Sequence, residues 1–424
     1  MIPLRRKGGT VKRDEIFHHV ESLREEMVEL QKELTRRPAL GPESGGQGEK
    51  EKADFLKAWI VQNLKKAEVQ EFNAPDPRVP CGYRPNLIVF YPGKDSKRTL
   101  WVMSHMDVVP SGDLEQWKHN PFEAWVEDGK IFGRGVEDNQ QEMVASLAAL
   151  QTLERLDLTP PDRIGIVLVS DEETGSEHGI RHILKVAPKL FKPQDLIVVP
   201  DAGSQEGIYI EVAEKSILWI RFTVHGKQTH ASTPDLGVNA RKASAYLTVR
   251  LCETLAKRFP ASNPLFDPPL STFEPTKVQA NVPNINTIPG EEVFYFDCRV
   301  LPEYPLKEVT AVIDEVVRSV ERDFTVSVEM DYPQREEAAP PTPEDAPVIK
   351  RLSRAVRSVL KEKTKTIGIG GGTVAAVFRK AGLNAAVWAK QDELAHEPNE
   401  YSVIDNMVDD AKVYVDFFLH EERE

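Results

Sequence analysis

Leu100-Trp101-Val102-Met103-Ser104-His105-Met106-Asp107 is the stretch whose reading decides the fold: a short apolar run ending in a histidine and, shortly after, a carboxylate. Large apolar residues without alternation, stopped by polar ones, predict a buried strand of a mixed or parallel sheet, with His105 at its C-terminal end. Ligands of open α/β sheets sit at that rim. The pattern recurs down the chain. Ile164-Gly165-Ile166-Val167-Leu168-Val169-Ser170 runs into Asp171-Glu172-Glu173, and Leu196-Ile197-Val198-Val199-Pro200 runs into Asp201. Ala385-Ala386-Val387-Trp388-Ala389-Lys390 leads through an acidic loop to His396. Several strand ends are therefore expected to deliver His, Asp and Glu to one rim.

Outward from that strand the pattern is α/β. Ile16, Val20, Leu23, Met27, Leu30 and Leu34 fall at helical spacing, so one amphipathic helix is expected over residues 14–36, ended by Arg37-Pro38. A second helix carries Phe55, Trp59 and Leu64; strands follow at 68–72 and 86–91; residues 111–132 read as a surface loop or hairpin. A helix with Met143, Leu147, Leu150 and Leu153 follows Asp138. After Ala213 the texture changes to strand 216–226, helix 239–258, strands 277–281 and 291–300, helix 306–322 and strand 325–330. This βαββαβ order suits a small sheet with helices on one face, inserted into the first domain. Pro-rich residues 332–347 read as the return linker, after which α/β alternation resumes. The expected division is 1–214 with 333–424 for a catalytic, metal-binding domain and 215–332 for the insertion.

A length of 424 residues is long for one core and supports two domains. The net charge of -13 argues against nucleic acid or an anionic membrane as partner, because phosphates repel such a surface unless a basic patch is segregated. The longest basic run, Arg5-Arg6-Lys7, reads as a solvated tail. Cys81, Cys252 and Cys298 are odd in number and scattered, which fits a reducing cytoplasm rather than a disulfide framework or a zinc ribbon. No stretch approaches a transmembrane helix, and no apolar segment follows the N-terminal basic residues, so no signal peptide is expected.

Zinc favours imidazole nitrogen and carboxylate oxygen, and a pair of zincs needs ligands on both sides and one shared group. His105, Asp138, Glu172, Glu173, Asp201 and His396 supply that kind of set. Here the chain resembles the dinuclear zinc metallohydrolases that include aminoacylase, acetylornithine deacetylase, succinyl-diaminopimelate desuccinylase, glutamate carboxypeptidases and dipeptidases. The resemblance rests on Ser104-His105-Met106-Asp107-Val108-Val109-Pro110, Gly133-Arg134-Gly135-Val136-Glu137-Asp138 and Asp171-Glu172-Glu173-Thr174-Gly175. It continues in Pro200-Asp201-Ala202, Gln228-Thr229-His230-Ala231-Ser232, Asn286-Thr287-Ile288-Pro289 with Asp297-Cys298-Arg299, and His396-Glu397-Pro398-Asn399-Glu400.

The resemblance implies that Asp138 bridges two metals, that His105 and Asp201 complete one site, and that Glu173 and His396 complete the other. It implies Glu172 as general base, and a cis peptide at Asp138-Asn139. Asp107 suits the role of fixing the His105 ring. His230 matches a histidine that reaches a partner subunit's active site, which implies a homodimer paired through the inserted domain. Arg299 and Asn286 match substrate-gripping positions, and Gly371 and Gly372 a loop beside the substrate pocket. The expected cofactors are two divalent ions, zinc foremost, with cobalt or manganese also suited to an N/O set. The expected reaction is hydrolysis of an amide or peptide bond in an N-acyl amino acid or short peptide with a free carboxylate. The alternatives are an N-carbamoyl-amino-acid amidohydrolase and an inactive metal-bound regulatory homologue.

Two departures bear on specificity. Asn139-Gln140 stands where many relatives have Met-Lys, and Thr373-Val374-Ala375 follows the Gly-Gly pair where many have Thr with Asp or Ser-Asp. His178 and His182 have helical metal spacing without an acidic partner between them, and read as a surface or packed helix face. Gly368-Ile369-Gly370-Gly371-Gly372-Thr373 lacks the Lys of a phosphate loop.

Overall fold

The computed structural model describes residues 4–6 and 9–420. The chain forms two compact units, one of residues 1–212, 342–366 and 373–424, the other of 213–341 and 367–372. The bounds differ from 214/215 and 332/333 because the last strand of the insertion, Ser327–Glu336, runs on through Tyr332-Pro333, and because Ile367–Gly372 returns to the second unit. Lys7 of the basic run lies outside the described residues; the backbones of Arg5 and Arg6 pair with Thr10 and Gly9 in a short ladder.

The large sheet has eight strands in the order Lys365–Ile369, Tyr209–Glu214, Ala385–Val387, Leu196–Val199, Asp95–His105, Asp162–Val169, Leu87–Tyr91, Glu68–Glu71. Its four central strands, from Ala385–Val387 to Asp162–Val169, are parallel, and those beyond Asp162–Val169 are antiparallel. Parallel strands are covered on both faces, which explains why their sequences read as continuous apolar runs. The centre is packed around Trp101, fully buried, with Phe90 and Phe191 against its ring and its Nε1 donating to Asp195 (2.9 Å). Gly165 pairs with Trp101 in register because a Cβ there would fall 2.2 Å from the indole. Register between these strands brings Val169 level with His105, so the Asp171-Glu172-Glu173 turn leaves the sheet at the same rim.

The second unit carries a four-stranded antiparallel sheet, Thr272–Val278, Glu291–Val300, Ser216–His225, Ser327–Glu336 in spatial order, with helices Ala240–Arg258 and Leu306–Phe324. Both helices and one sheet face close a single core of Leu218, Phe222, Leu247, Phe294, Phe296 and Ile313, among others. The chain is therefore α/β with an inserted βαββαβ unit of ferredoxin-like order, as the pattern predicted.

Several elements differ from expectation. The first helix is two, Arg13–Ser22 and Arg24–Thr35, broken at Leu23. The second helix, Lys50–Asn63, buries Lys52, Ala53, Leu56 and Ile60 and leaves Phe55 and Trp59 only half-buried; of the expected stripe Leu64, just past the helix end, is buried. The strand expected at 277–281 is Thr272–Val278; Pro275 is tolerated because the strand lies at the sheet edge, with a register shift between Pro275 and Lys277. Tyr209–Glu214 was not expected at all. Among the described residues no helix is long and apolar enough to cross a membrane, and the three cysteines are free.

Candidate metal centre

His105 ends its strand with its side chain 1% exposed. Its Nε2 lies 2.8 Å from Asp138 Oδ1 and 3.6 Å from Asp201 Oδ1. On the other side of the same carboxylate, Asp138 Oδ2 lies 3.3 Å from Nε2 of His396, which is 3.1 Å from Glu173 Oε2. Two donor groups result, His105 with Asp138 and Asp201, and Asp138 with Glu173 and His396, the donor atoms of each lying within 4.8 Å of one another. Asp138 is common to both, and its two oxygens face different histidines.

The turn that carries Asp138 is held by carboxylates. Gly135 takes φ 81°, where a Cβ would strike Val108 at 2.4 Å, and the Asp138-Asn139 peptide is cis. Glu400 accepts the N–H groups of Gly135 (3.1 Å), Glu137 (3.0 Å) and Asp138 (3.2 Å), and Arg134 pairs with it at 2.7 Å. Glu137 returns the favour to the loop before His396, accepting from the Asp392 N–H (2.7 Å) and the Leu394 N–H. Asn139 donates to the Pro200 carbonyl (2.5 Å), tying the bridge turn to the strand end that carries Asp201. Glu137 and Glu400 lie within the motifs but carry no sign of this role in the sequence, because a buried carboxylate that caps amides has no spacing signature.

Asp107 accepts the N–H groups of both Glu172 and Glu173, 3.1 Å each, while its carbonyl lies 3.0 Å from His105 Nδ1 and its carboxylate 3.5 Å away. One residue thus meets the histidine through its carbonyl and the Glu-Glu turn through its carboxylate. Asp171, at φ 63°, takes the sharp step into that turn and accepts from the His178 N–H (2.8 Å), with the His178 ring 3.1 Å away. His178 therefore precedes the helix Ile180–Val186 and does not share its face with His182.

The electrostatics match a cation-binding cluster. Burial would raise Asp138, but the imidazoles of His105 and His396 outweigh it and hold it low. Burial, then the Asp138 and Glu173 charges, push Asp201 up to about 7 despite His105. Enclosure, with the carboxylates of Asp201, Glu173 and Asp107, raises Glu172 well above the usual range. Carboxylates that oppose one another's ionisation in a shared cleft fit divalent cations, which relieve that repulsion. Imidazole and carboxylate donors in this number fit two such ions.

The remaining candidates lie in the second unit. His230 is exposed, with Nδ1 2.7 Å from Ser232 Oγ and Nε2 3.5 Å from Asn286 Nδ2. Arg299 is engaged bidentately by Asp297 (2.7 and 3.0 Å) and donates to the Gly370 carbonyl (2.9 Å), which sets it beside the loop of Gly371 and Gly372.

Residues 101–420 match the family described as Peptidase family M20/M25/M40. The chain belongs to that family. This M20 chain is 39% identical over 402 residues to an uncharacterized metallohydrolase of Methanocaldococcus jannaschii, covering 92% of this chain and 98% of the relative. Its fold is similar to that of human carnosine dipeptidase 1 (TM-score 0.73, 16% identity, 96% of this chain and 98% of the other). It is equally similar to a tripeptidase from Staphylococcus aureus (TM-score 0.73, 18% identity, 93% and 97%). The protein is a metallohydrolase of the peptidase class.

Proposed function

We propose that the chain hydrolyses the peptide or amide bond of a short peptide or N-acyl amino acid bearing a free carboxylate, using two zinc ions. The observation that carries this is Asp138, whose two carboxylate oxygens face His105 and His396 within two separate donor groups. His105, Asp138 and Asp201 would hold one ion, and Asp138, Glu173 and His396 the other. When bound, such ions polarise the substrate carbonyl and make water nucleophilic at neutral pH. Glu172 is the carboxylate of the cluster left free to take the proton from that water and return it to the leaving amine. Asp107 holds the backbone on which Glu172 is mounted. Arg299, braced by Asp297, and Asn286 bind the substrate's carboxylate and backbone, next to Gly371 and Gly372. The free cysteines fit a cytoplasmic location.

His230 acts across a homodimer formed through the second unit. Supporting this, it is exposed on a two-residue ladder, Thr229 with Ile288 and His230 with Thr287, beside Asn286. Mixing inactive Glu172→Gln protein with inactive His230→Ala protein should restore activity, because one site of a mixed dimer joins the intact residues. No recovery after verified subunit exchange would mean that His230 serves its own subunit or none.

The substrate class is tested by offering dipeptides, tripeptides, and N-acetyl, N-succinyl and N-carbamoyl amino acids with zinc, cobalt or manganese. Turnover of peptides or N-acyl amino acids supports the reading. Turnover confined to the carbamoyl compounds would replace it, and binding without turnover would make the chain a regulator.

A further inference from the structure

The helix Lys50–Asn63 turns a lysine towards the core. Lys52 is 1% exposed and sits on the buried face with Ala53, Leu56 and Ile60. Its Nζ donates to the Met106 carbonyl at 2.8 Å. Met106 joins His105 to Asp107, and its own N–H donates to the Val169 carbonyl at 2.7 Å. Lys52 therefore secures the one link between the strand-end histidine and the carboxylate that orients it.

Burial pulls the Lys52 ammonium down to about 8, against the attraction of Asp107, Glu49 and Glu400. Two of those carboxylates have their own cations: Arg84 binds Glu49 through Nε (2.6 Å) and Nη2, and Arg134 pairs with Glu400 at 2.7 Å. Among the described residues no lysine or arginine forms an ion pair with Asp107, which accepts the Glu172 and Glu173 amides; the Lys52 and Arg84 charges act on it through space, and only Lys52 is also bonded to the adjoining Met106 carbonyl. A methionine would fill the same space without the cost of desolvating a charge. A buried ammonium at this point is better explained by what it holds than by packing.

We propose that Lys52 is a positioning residue for the metal centre. It fixes the Met106 peptide and sets a positive charge behind Asp107, so that Asp107 holds the His105 ring and the Glu172-Glu173 turn in place. The inference rests on reading His105 and Glu173 as metal ligands.

The test uses the full chain carrying Lys52→Met, Lys52→Arg or, as a control for a weakened helix, Leu56→Ala. Zinc affinity is measured by competition with a chromophoric chelator, and kcat and KM on the best peptide of the substrate panel. Lys52→Met should lower zinc affinity and kcat by about 10- to 100-fold with KM within about threefold, the scale of losses behind metal ligands. Lys52→Arg should restore most of both. Leu56→Ala should melt earlier yet keep zinc affinity and kcat within about twofold. Wild-type zinc affinity and kcat in Lys52→Met would overturn the proposal, as would Leu56→Ala matching its losses. If Lys52→Met does not fold, Lys52→Gln, which keeps a donor and drops the charge, is measured instead. Failure of both to fold would make the role purely structural and overturn the assignment. A wild-type chain that binds no zinc would instead sink the metal-centre reading itself.

Discussion

The two donor groups share Asp138 but are built to different depths. His105 has its side chain 1% exposed at the end of a central parallel strand, with its ring against Asp107. The His396 side chain is 54% exposed, on a loop residue at φ 71°, and is reached through the Glu137 contacts to Asp392 and Leu394 and an Arg134 bond to its carbonyl (3.2 Å). A ligand locked by strand register loses little freedom when it binds; one on an open loop loses more. The buried group should therefore hold its ion more tightly than the open one.

The largest effect separates holding metal from using it. Glu172→Gln should leave both ions in place and lower kcat by about 1,000- to 10,000-fold, the upper range for a lost general base. Metal content by elemental analysis and turnover measured on one preparation check this; wild-type turnover would remove Glu172 from the mechanism. Next, the two histidines should not be equivalent. His396→Ala should retain one ion per chain, whereas His105→Ala should lose the tight ion, with an affinity loss beyond the roughly 100-fold limit of outer contacts. Equal affinity for the remaining ion in both variants would erase the distinction between the groups. A smaller effect is expected from Glu137→Gln, which keeps the size of the side chain but sets a donor against one of two loop amides. The second ion should weaken by about 10-fold and the first remain unchanged, read from a stepwise zinc titration.

What could be read in advance follows the same division. The strand ending at His105 and those leading to Asp201 and into Glu172 were legible because burial on both faces leaves an apolar run that polar residues interrupt. Tyr209–Glu214 was not, because Glu211 stands inside it, buried against Arg379 at 2.9 Å, and breaks the apolar pattern. Lys52 misled in the same way: a lysine on a core face moves the apparent stripe to Phe55 and Trp59, of which Phe55 lies under the Arg37 guanidinium at 4.1 Å. The helix break at Leu23 left no trace, since Leu23 is itself buried and keeps the spacing. The candidate metal donors carried sequence motifs, and Asp107, Glu137 and Glu400 lie within the same motifs; the backbone-holding roles of Glu137, Glu400 and Lys52 were not legible, because amide and carbonyl partners have no identity in a sequence.

The central claim is that Asp138 joins two metal positions. Anomalous scattering from a crystal of the full chain grown with zinc tests it most directly. Two peaks are predicted flanking the Asp138 carboxylate, one against His105 and Asp201 and the other, weaker when zinc is limiting, against Glu173 and His396. A single peak at saturating zinc, or two peaks that share a residue other than Asp138, would contradict the account.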